Sequence, residues 1–208
     1  MIPVPLSCSV AVLAKAPLPG YAKTRLRTCL GDAGAARLQE ELVTRAVHTV
    51  LAAGVGSVRL WCTPDAHHPF FRRLAAETGV ALAVQPPGDL GVRMLHCATA
   101  SLAYASAVIL TGSDCPVMTP NYLHDAAVAL ADHDAVMGPA EDGGYVLLGL
   151  RRSHASLFTD MRWGGGMVLA ETRQRLADLG WRYHTLATLW DVDTPADLRR
   201  WHRTLVPS

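Results

Sequence analysis

Short blocks of consecutive aliphatic residues alternate along the chain with longer blocks in which apolar residues recur every three or four positions. The first pattern suits strands covered on both faces of a parallel sheet, and the second suits helices with one buried stripe. Strands are therefore expected over 6–14, 57–63, 80–84, 107–110, 134–137, 145–150 and 181–188. A helix is expected from Asp32 to about Leu51, where Leu38, Leu42, Ala46 and Val50 share a face, and others over 67–78, 91–104, 121–132 and 167–179. Gly54, Gly79 and Gly180 stop three of these helices, and Thr194-Pro-Ala-Asp197 has the capping signature of a closing one. This order predicts an α/β fold with a mostly parallel sheet between two helical layers. No repeat, low-complexity tract or linker interrupts it, so residues 1–208 are read as one domain.

In an open α/β sheet, ligands bind beyond the carboxyl ends of the strands. The aliphatic run 107–110 stops at Thr111-Gly-Ser-Asp114, which puts one carboxylate, Asp114, at such a place. The plainer reading is a turn built by Ser113 and Asp114 and shaped by Pro116. Asp191 and Asp193 lie just beyond the last expected strand, and its return beside Asp114 would pair acids from separated strands. Magnesium typically takes one or two carboxylates plus phosphate oxygens, so such a pair suffices. The same two acids also suit the start of the closing helix, where the dipole favours them.

Between the first strand and first helix, Lys15, Lys23 and Arg25 fall within eleven positions. They form either a phosphate cradle at a helix start or a solvated basic loop. A Walker loop fails on spacing, because Ala22 stands directly before Lys23 where glycine is required. Glu141 and Asp142 precede Gly143-Gly144, which makes either a polar hairpin tip or a carboxylate beside a ligand that the backbone approaches closely. Arg93, in Gly88-Asp-Leu-Gly-Val-Arg-Met94, stands near another helix start, where it would bind an anion or cover the surface.

Composition narrows the function classes. With 50% hydrophobic and 18% charged residues and mean hydropathy +0.18, the chain fills a substantial core and is not disordered. A net charge of +1 and pI near 7.8, without a long basic run, imply neither nucleic acid nor an anionic membrane as partner. Five scattered cysteines without Cys-x-x-Cys spacing exclude a disulfide framework and a structural zinc site, and point to a reduced, cytoplasmic setting. Residues 1–14 lack the basic leader of a signal peptide, and no stretch reads as a membrane span. The histidines lack metal-ligand spacing, and no Gly-x-Ser-x-Gly elbow occurs.

Five segments in order resemble the motifs of the bacterial DUF2064 family: Lys15-Ala-Pro-Leu-Pro-Gly-Tyr-Ala-Lys-Thr-Arg-Leu26, Gly88-Asp-Leu-Gly-Val-Arg-Met94, Gly112-Ser-Asp-Cys-Pro116, Gly138-Pro-Ala-Glu-Asp-Gly-Gly-Tyr145 and Asp191-Val-Asp-Thr-Pro-Ala-Asp-Leu198. That family is similar to the nucleotide-diphospho-sugar transferases of the GT-A fold. The resemblance implies a Rossmann-like three-layer α/β/α domain that binds a nucleotide with Mg2+ or Mn2+. It implies Asp114 and Asp193, with Asp191 beside them, as metal ligands. It implies a nucleotide-binding set of Lys15, Pro19, Gly20, Lys23, Thr24 and Arg25, joined by Gly88, Gly91 and Arg93. Gly143, Gly144 and Tyr145 would face the acceptor. Asp142, or its neighbour Glu141, would orient or deprotonate the acceptor hydroxyl, and Lys23 would assist departure of the diphosphate. One motif departs from the family: Trp163 is followed by Gly164-Gly165-Gly166 where Trp-Ser-Thr is usual.

The expected activity is glycosyl transfer from a nucleotide-sugar to a small-molecule acceptor. Lys23-Thr-Arg-Leu26 also resembles the Lys-Ser-Arg-Leu of phospholactate guanylyltransferases, which gives the alternative: attack of a phosphorylated small molecule on a nucleoside triphosphate, releasing pyrophosphate. A nucleotide-binding module without catalysis is the third reading.

Overall fold

The computed structural model describes residues 7–205. Its strands are β1 (Cys8–Lys15), β2 (Ser57–Thr63), β3 (Ala81–Val84), β4 (Ala107–Thr111), β5 (Ala135–Pro139), β6 (Tyr145–Leu150) and β7 (Tyr183–Thr185). Its helices are α1 (Arg27–Ala53), α2 (Pro69–Thr78), α3 (Leu90–Leu102), α4 (Pro120–Ala129), α5 (Val168–Asp178) and α6 (Pro195–Leu205). The strands form one sheet in the order β3-β2-β1-β4-β6-β5-β7. Only β6 runs against its neighbours, so the sheet is mostly parallel.

β4 is buried at every residue and β1 at all but two. Their uninterrupted apolar runs fit this position, because helices cover both faces of the sheet. On one face Val10 and Val12 of β1 pack with Val43 and Val47 of α1, Phe71 of α2 and Leu123 of α4. On the other, Ala11, Val108 and Leu110 pack with Met94 and Cys97 of α3 and Leu176 of α5. A third cluster, Leu26, Leu38, Leu42, Trp190, Val192, Leu198 and Trp201, fastens α6 to the start of α1.

Local signals explain the helix starts. Asp89 accepts a hydrogen bond from Val92 N at 2.9 Å to cap α3, and Thr119 Oγ1 accepts from Tyr122 N at 3.2 Å to cap α4, which has Pro120 in its first turn. At α6 the expected box forms: Thr194 N donates to Asp197 Oδ2 at 2.8 Å, and Asp197 N donates to Thr194 Oγ1 at 3.3 Å.

Two expectations change. The helix expected from Asp32 begins at Arg27 but breaks at Gly31, whose φ of 67° and ψ of 173° are not helical. The strand expected over 181–188 is only Tyr183–Thr185. Beyond it Leu186 N and Leu189 N still bond to Met137 O and Pro139 O, each at 2.9 Å, but the regular ladder with β5 ends at Thr185. Residue 6, placed in the first strand by sequence, lies outside the described residues.

Candidate active site

Because β1, β2, β3 and β4 are parallel, their carboxyl ends reach one edge of the sheet. A cavity of about 550 Å³ opens there, lined by Lys15, Thr63, Gln85 and Gly112–Asp114 from these ends. Its other walls come from Lys23, Thr24 and Arg25, from Gln39 of α1, from Leu90, Arg93 and Met94 of α3, and from Asp142, Tyr145, Gly164 and Asp193.

The first loop places its three cations differently. Lys23 adopts a left-handed backbone conformation (φ 50°), and its side chain is only 4% exposed. Its Nζ lies 2.9 Å from Asp114 Oδ1 and 3.2 Å from Asp193 Oδ1, and it donates to Val192 O at 2.7 Å. One ammonium therefore spans two carboxylates that lie no more than about 6 Å apart. Packing explains the convergence: Leu26, just past Lys23, and Val192, just before Asp193, share the α1–α6 cluster. Val192 N also donates to Asp114 O at 2.9 Å, tying the last loop to the end of β4. Lys15 and Arg25 remain exposed, with Arg25 Nη1 4.0 Å from Asp193 Oδ2.

The electrostatics are those of crowded acids around one cation. Burial lowers the Lys23 pKa, but the charges and hydrogen bonds of Asp114 and Asp193 outweigh it and leave it raised. Asp191 is half-buried, and desolvation, followed by the charges of Asp114 and Asp193, pushes its pKa up to about 7. Lys23 opposes that rise, and Asp142 adds to it.

Of the residues singled out by sequence, Lys15, Lys23, Thr24, Arg25 and Arg93 line the cavity, as do Asp114, Asp142, Tyr145 and Asp193. The structure gives the others different surroundings. Asp191 lies behind this lining, close enough to feel its charges. Pro19 and Gly20 sit on the exposed outer turn of the first loop. Gly88 packs against Val92, and Gly91 packs so tightly on Phe158 O and Trp163 Nε1 that a Cβ would overlap both. Glu141 turns away to form a two-pronged ion pair with Arg200, at 2.7 and 3.0 Å. Gly143 (φ 86°) does approach another backbone closely, but its partner is Gly166, and its carbonyl accepts from Leu169 N at 2.9 Å. Gly144 N donates to Asp142 Oδ1 at 2.9 Å and fixes that carboxylate.

Sequence reasoning missed two buried glutamines. Gln39 Nε2 donates to Lys15 O at 3.2 Å and Ser113 Oγ at 3.4 Å, and Ser113 Oγ in turn donates to Asp114 Oδ1 at 3.2 Å. Its signal was a polar residue within the apolar stripe of α1. Gln85 Nε2 donates to Ala14 O at 3.3 Å and Trp61 O at 2.7 Å, bracing the ends of β1 and β2.

Among the described residues no three His, Cys, Asp or Glu side chains gather into a complete metal cage. A carboxylate pair already bridged by a cation, with a third, half-buried acid behind it, nonetheless suits a hard divalent ion that draws its remaining oxygens from phosphate and water.

Residues 46–165 match the model of a family described as an uncharacterized protein conserved in bacteria, DUF2064. No curated protein matches the chain. Among solved structures, a "putative nucleotide-diphospho-sugar transferase" from Desulfovibrio desulfuricans G20 is 30% identical with a TM-score of 0.87, covering 97% of this chain and 88% of its own. The 4-diphosphocytidyl-2C-methyl-D-erythritol synthase of Anaerococcus prevotii shares the fold at 9% identity and TM-score 0.65, covering 97% of this chain and 99% of its own. Glucosyl-3-phosphoglycerate synthase from Mycobacterium tuberculosis, in complex with Mn2+, UDP and glucosyl-3-phosphoglycerate, does so at 11% identity and TM-score 0.57, covering 98% of this chain and 81% of its own.

Proposed function

The chain belongs to the DUF2064 family, and on that footing we propose that it is a metal-dependent transferase that moves a glycosyl group from a nucleotide-sugar to a small acceptor. One observation carries this reading: Asp114, beyond β4, and Asp193, beyond β7, converge on a single cation at the wall of a cavity rimmed by Lys15 and Arg25. A divalent ion, Mg2+ or Mn2+, held by Asp114 and Asp193 would neutralise the diphosphate of a nucleotide. The Mn2+ and UDP of the mycobacterial synthase accord with that choice.

The chain's own residues divide the remaining work. Lys15 and Arg25 are exposed at the cavity and bind phosphate oxygens. Lys23 holds a proton on Nζ and places its positive charge next to the site of the departing diphosphate, where charge develops. Asp142, the one acid of its turn that lines the cavity, orients the acceptor hydroxyl and takes its proton. Glu141 is committed to Arg200 and does not share that role.

Nucleotidyl transfer is the second reading. It needs charge for a triphosphate, but Lys23 is bonded to two acids and Arg25 is itself 4.0 Å from Asp193, an arrangement better matched to a diphosphate. The test is a panel of nucleotide-sugars and nucleoside triphosphates with Mg2+ or Mn2+, followed by phosphorus NMR. Nucleoside diphosphate released from a nucleotide-sugar supports the proposal. Pyrophosphate released from a triphosphate overturns it in favour of nucleotidyl transfer, and binding without either product reduces the protein to a nucleotide-binding module.

A further inference from the structure

The cationic groups of the cavity lie on two walls. Lys15, at the end of β1, and Lys23 and Arg25, in the loop after it, lie beside α1 and α6, whereas Arg93 belongs to α3 on the other face of the sheet. Arg93 shares its wall with Met94, with Tyr145, whose hydroxyl lies 3.9 Å from Met94 Sδ, and with Gly164.

Among the described residues, no side-chain partner accounts for Arg93. Its Nε is buried without a hydrogen-bond partner. None of the ion pairs among the described residues includes it. It also lies in the first turns of α3, the end of a helix where the dipole disfavours a cation. The half-buried guanidinium lines the cavity without a counter-ion, and an anion bound there would supply the missing negative charge. The other buried donors without partners, on Trp61, Ser101, Ser153 and Trp163, belong to residues that do not line the cavity.

We infer that Arg93 anchors an anionic group, phosphate or carboxylate, of the second substrate, so that the acceptor is an acidic small molecule held on the α3 wall while the nucleotide diphosphate occupies the first-loop wall. This rests on the transferase reading above for the identity of the first ligand, but the anion site itself does not need it.

Calorimetric titration of inorganic phosphate, with acetate as the carboxylate probe, tests the site. A Lys15→Met/Arg25→Met double variant removes the two exposed first-loop cations, and we expect it to retain phosphate binding. Adding Arg93→Met to that background weakens phosphate binding about tenfold to a hundredfold, whereas Arg93→Lys weakens it less. The tighter of phosphate and acetate identifies the acceptor's anionic group. In the wild-type background, Arg93→Met leaves UDP and GDP affinity with Mg2+ within about twofold, since the nucleotide's phosphates bind the other wall. The inference is overturned if Arg93→Met leaves the anion isotherms unchanged, if no anion binds the double variant, or if UDP or GDP weakens as much as phosphate. If no nucleotide binds the wild type, the transferase reading falls, and the phosphate comparison still decides the role of Arg93.

Discussion

The ammonium of Lys23 lies 2.9 Å from Asp114 Oδ1 in a side chain that is 4% exposed, so the acid at the end of β4 meets an internal cation. The same ammonium holds Asp193 at 3.2 Å. Removing it leaves Asp114 and Asp193 facing each other, with Asp191 behind. Breaking a fully buried ion pair costs about 3–5 kcal/mol, and because these carboxylates are 42% and 41% exposed we expect about 2 kcal/mol for Lys23→Met. Divalent metal should repair that loss, since it replaces the missing positive charge. Thermal denaturation with and without Mn2+ measures both effects: the variant melts lower, and Mn2+ raises its Tm more than that of the wild type. Equal Mn2+ shifts in the two proteins would show that Lys23 and the metal do not compete for the acids.

Asp191 should make the metal-free protein less stable as pH rises. Its folded pKa is raised from 3.8 to about 7, first by burial and then by Asp114 and Asp193. Between those values the folded protein binds the proton more tightly than the unfolded chain, so stability is fullest below the lower pKa and falls as pH climbs through the upper one. Asp191→Asn removes the titration. Its advantage over the wild type is small near pH 4, grows to about pH 7 and then levels off, at on the order of a few kcal/mol. Denaturant melts across this range, with chelator present, check the slope; parallel curves for the two proteins would contradict it.

Gly143 tests whether the glycine pair serves packing. Its φ of 86° and its contact with Gly166 O leave no room for a Cβ. Gly143→Ala combines left-handed strain with overpacking, and we expect it to cost about 2–4 kcal/mol of stability. The denaturation midpoint measures this, and a variant as stable as the wild type would refute the packing role.

The fold was legible because strands covered on both faces leave unbroken aliphatic runs, as β4 does before Thr111 and β1 does before Lys15. Strand β7 was less so: the segment 181–188 mixes apolar and polar residues, and only Tyr183–Thr185 pairs, with β5 in a distant part of the chain. Within the site, sequence spacing ranks Lys15, Lys23 and Arg25 alike. Which one turns inward depends on Leu26, Val192 and Trp201 meeting across the whole chain, a long-range contact without a local signature. Gly143 carried the signal of a close approach without naming Gly166 as the partner. Gln39 had a local signal, a polar residue in an apolar stripe, but its bonds to Lys15 and Ser113 require the folded sheet.

Adjacent in sequence, Asp142 and Glu141 should behave oppositely in catalysis. Hydrogen bonds from Arg200 hold Glu141 below the usual carboxylate range despite some desolvation, so it stays ionised and paired outside the cavity. Asp142 lines the cavity, and its Oδ1 is oriented by Gly144 N at 2.9 Å. A positioned general base contributes about a hundredfold or more, so Asp142→Asn should lower kcat by at least that factor with the donor found in the panel. Nucleotide affinity should hold, because Lys15 and Arg25 are untouched. Glu141→Gln should leave kcat near wild type. Steady-state kinetics beside calorimetric nucleotide binding separate the two acids: equal losses of kcat in both variants would mean that the turn acts as a unit, and an unchanged Asp142→Asn enzyme would remove Asp142 as the base.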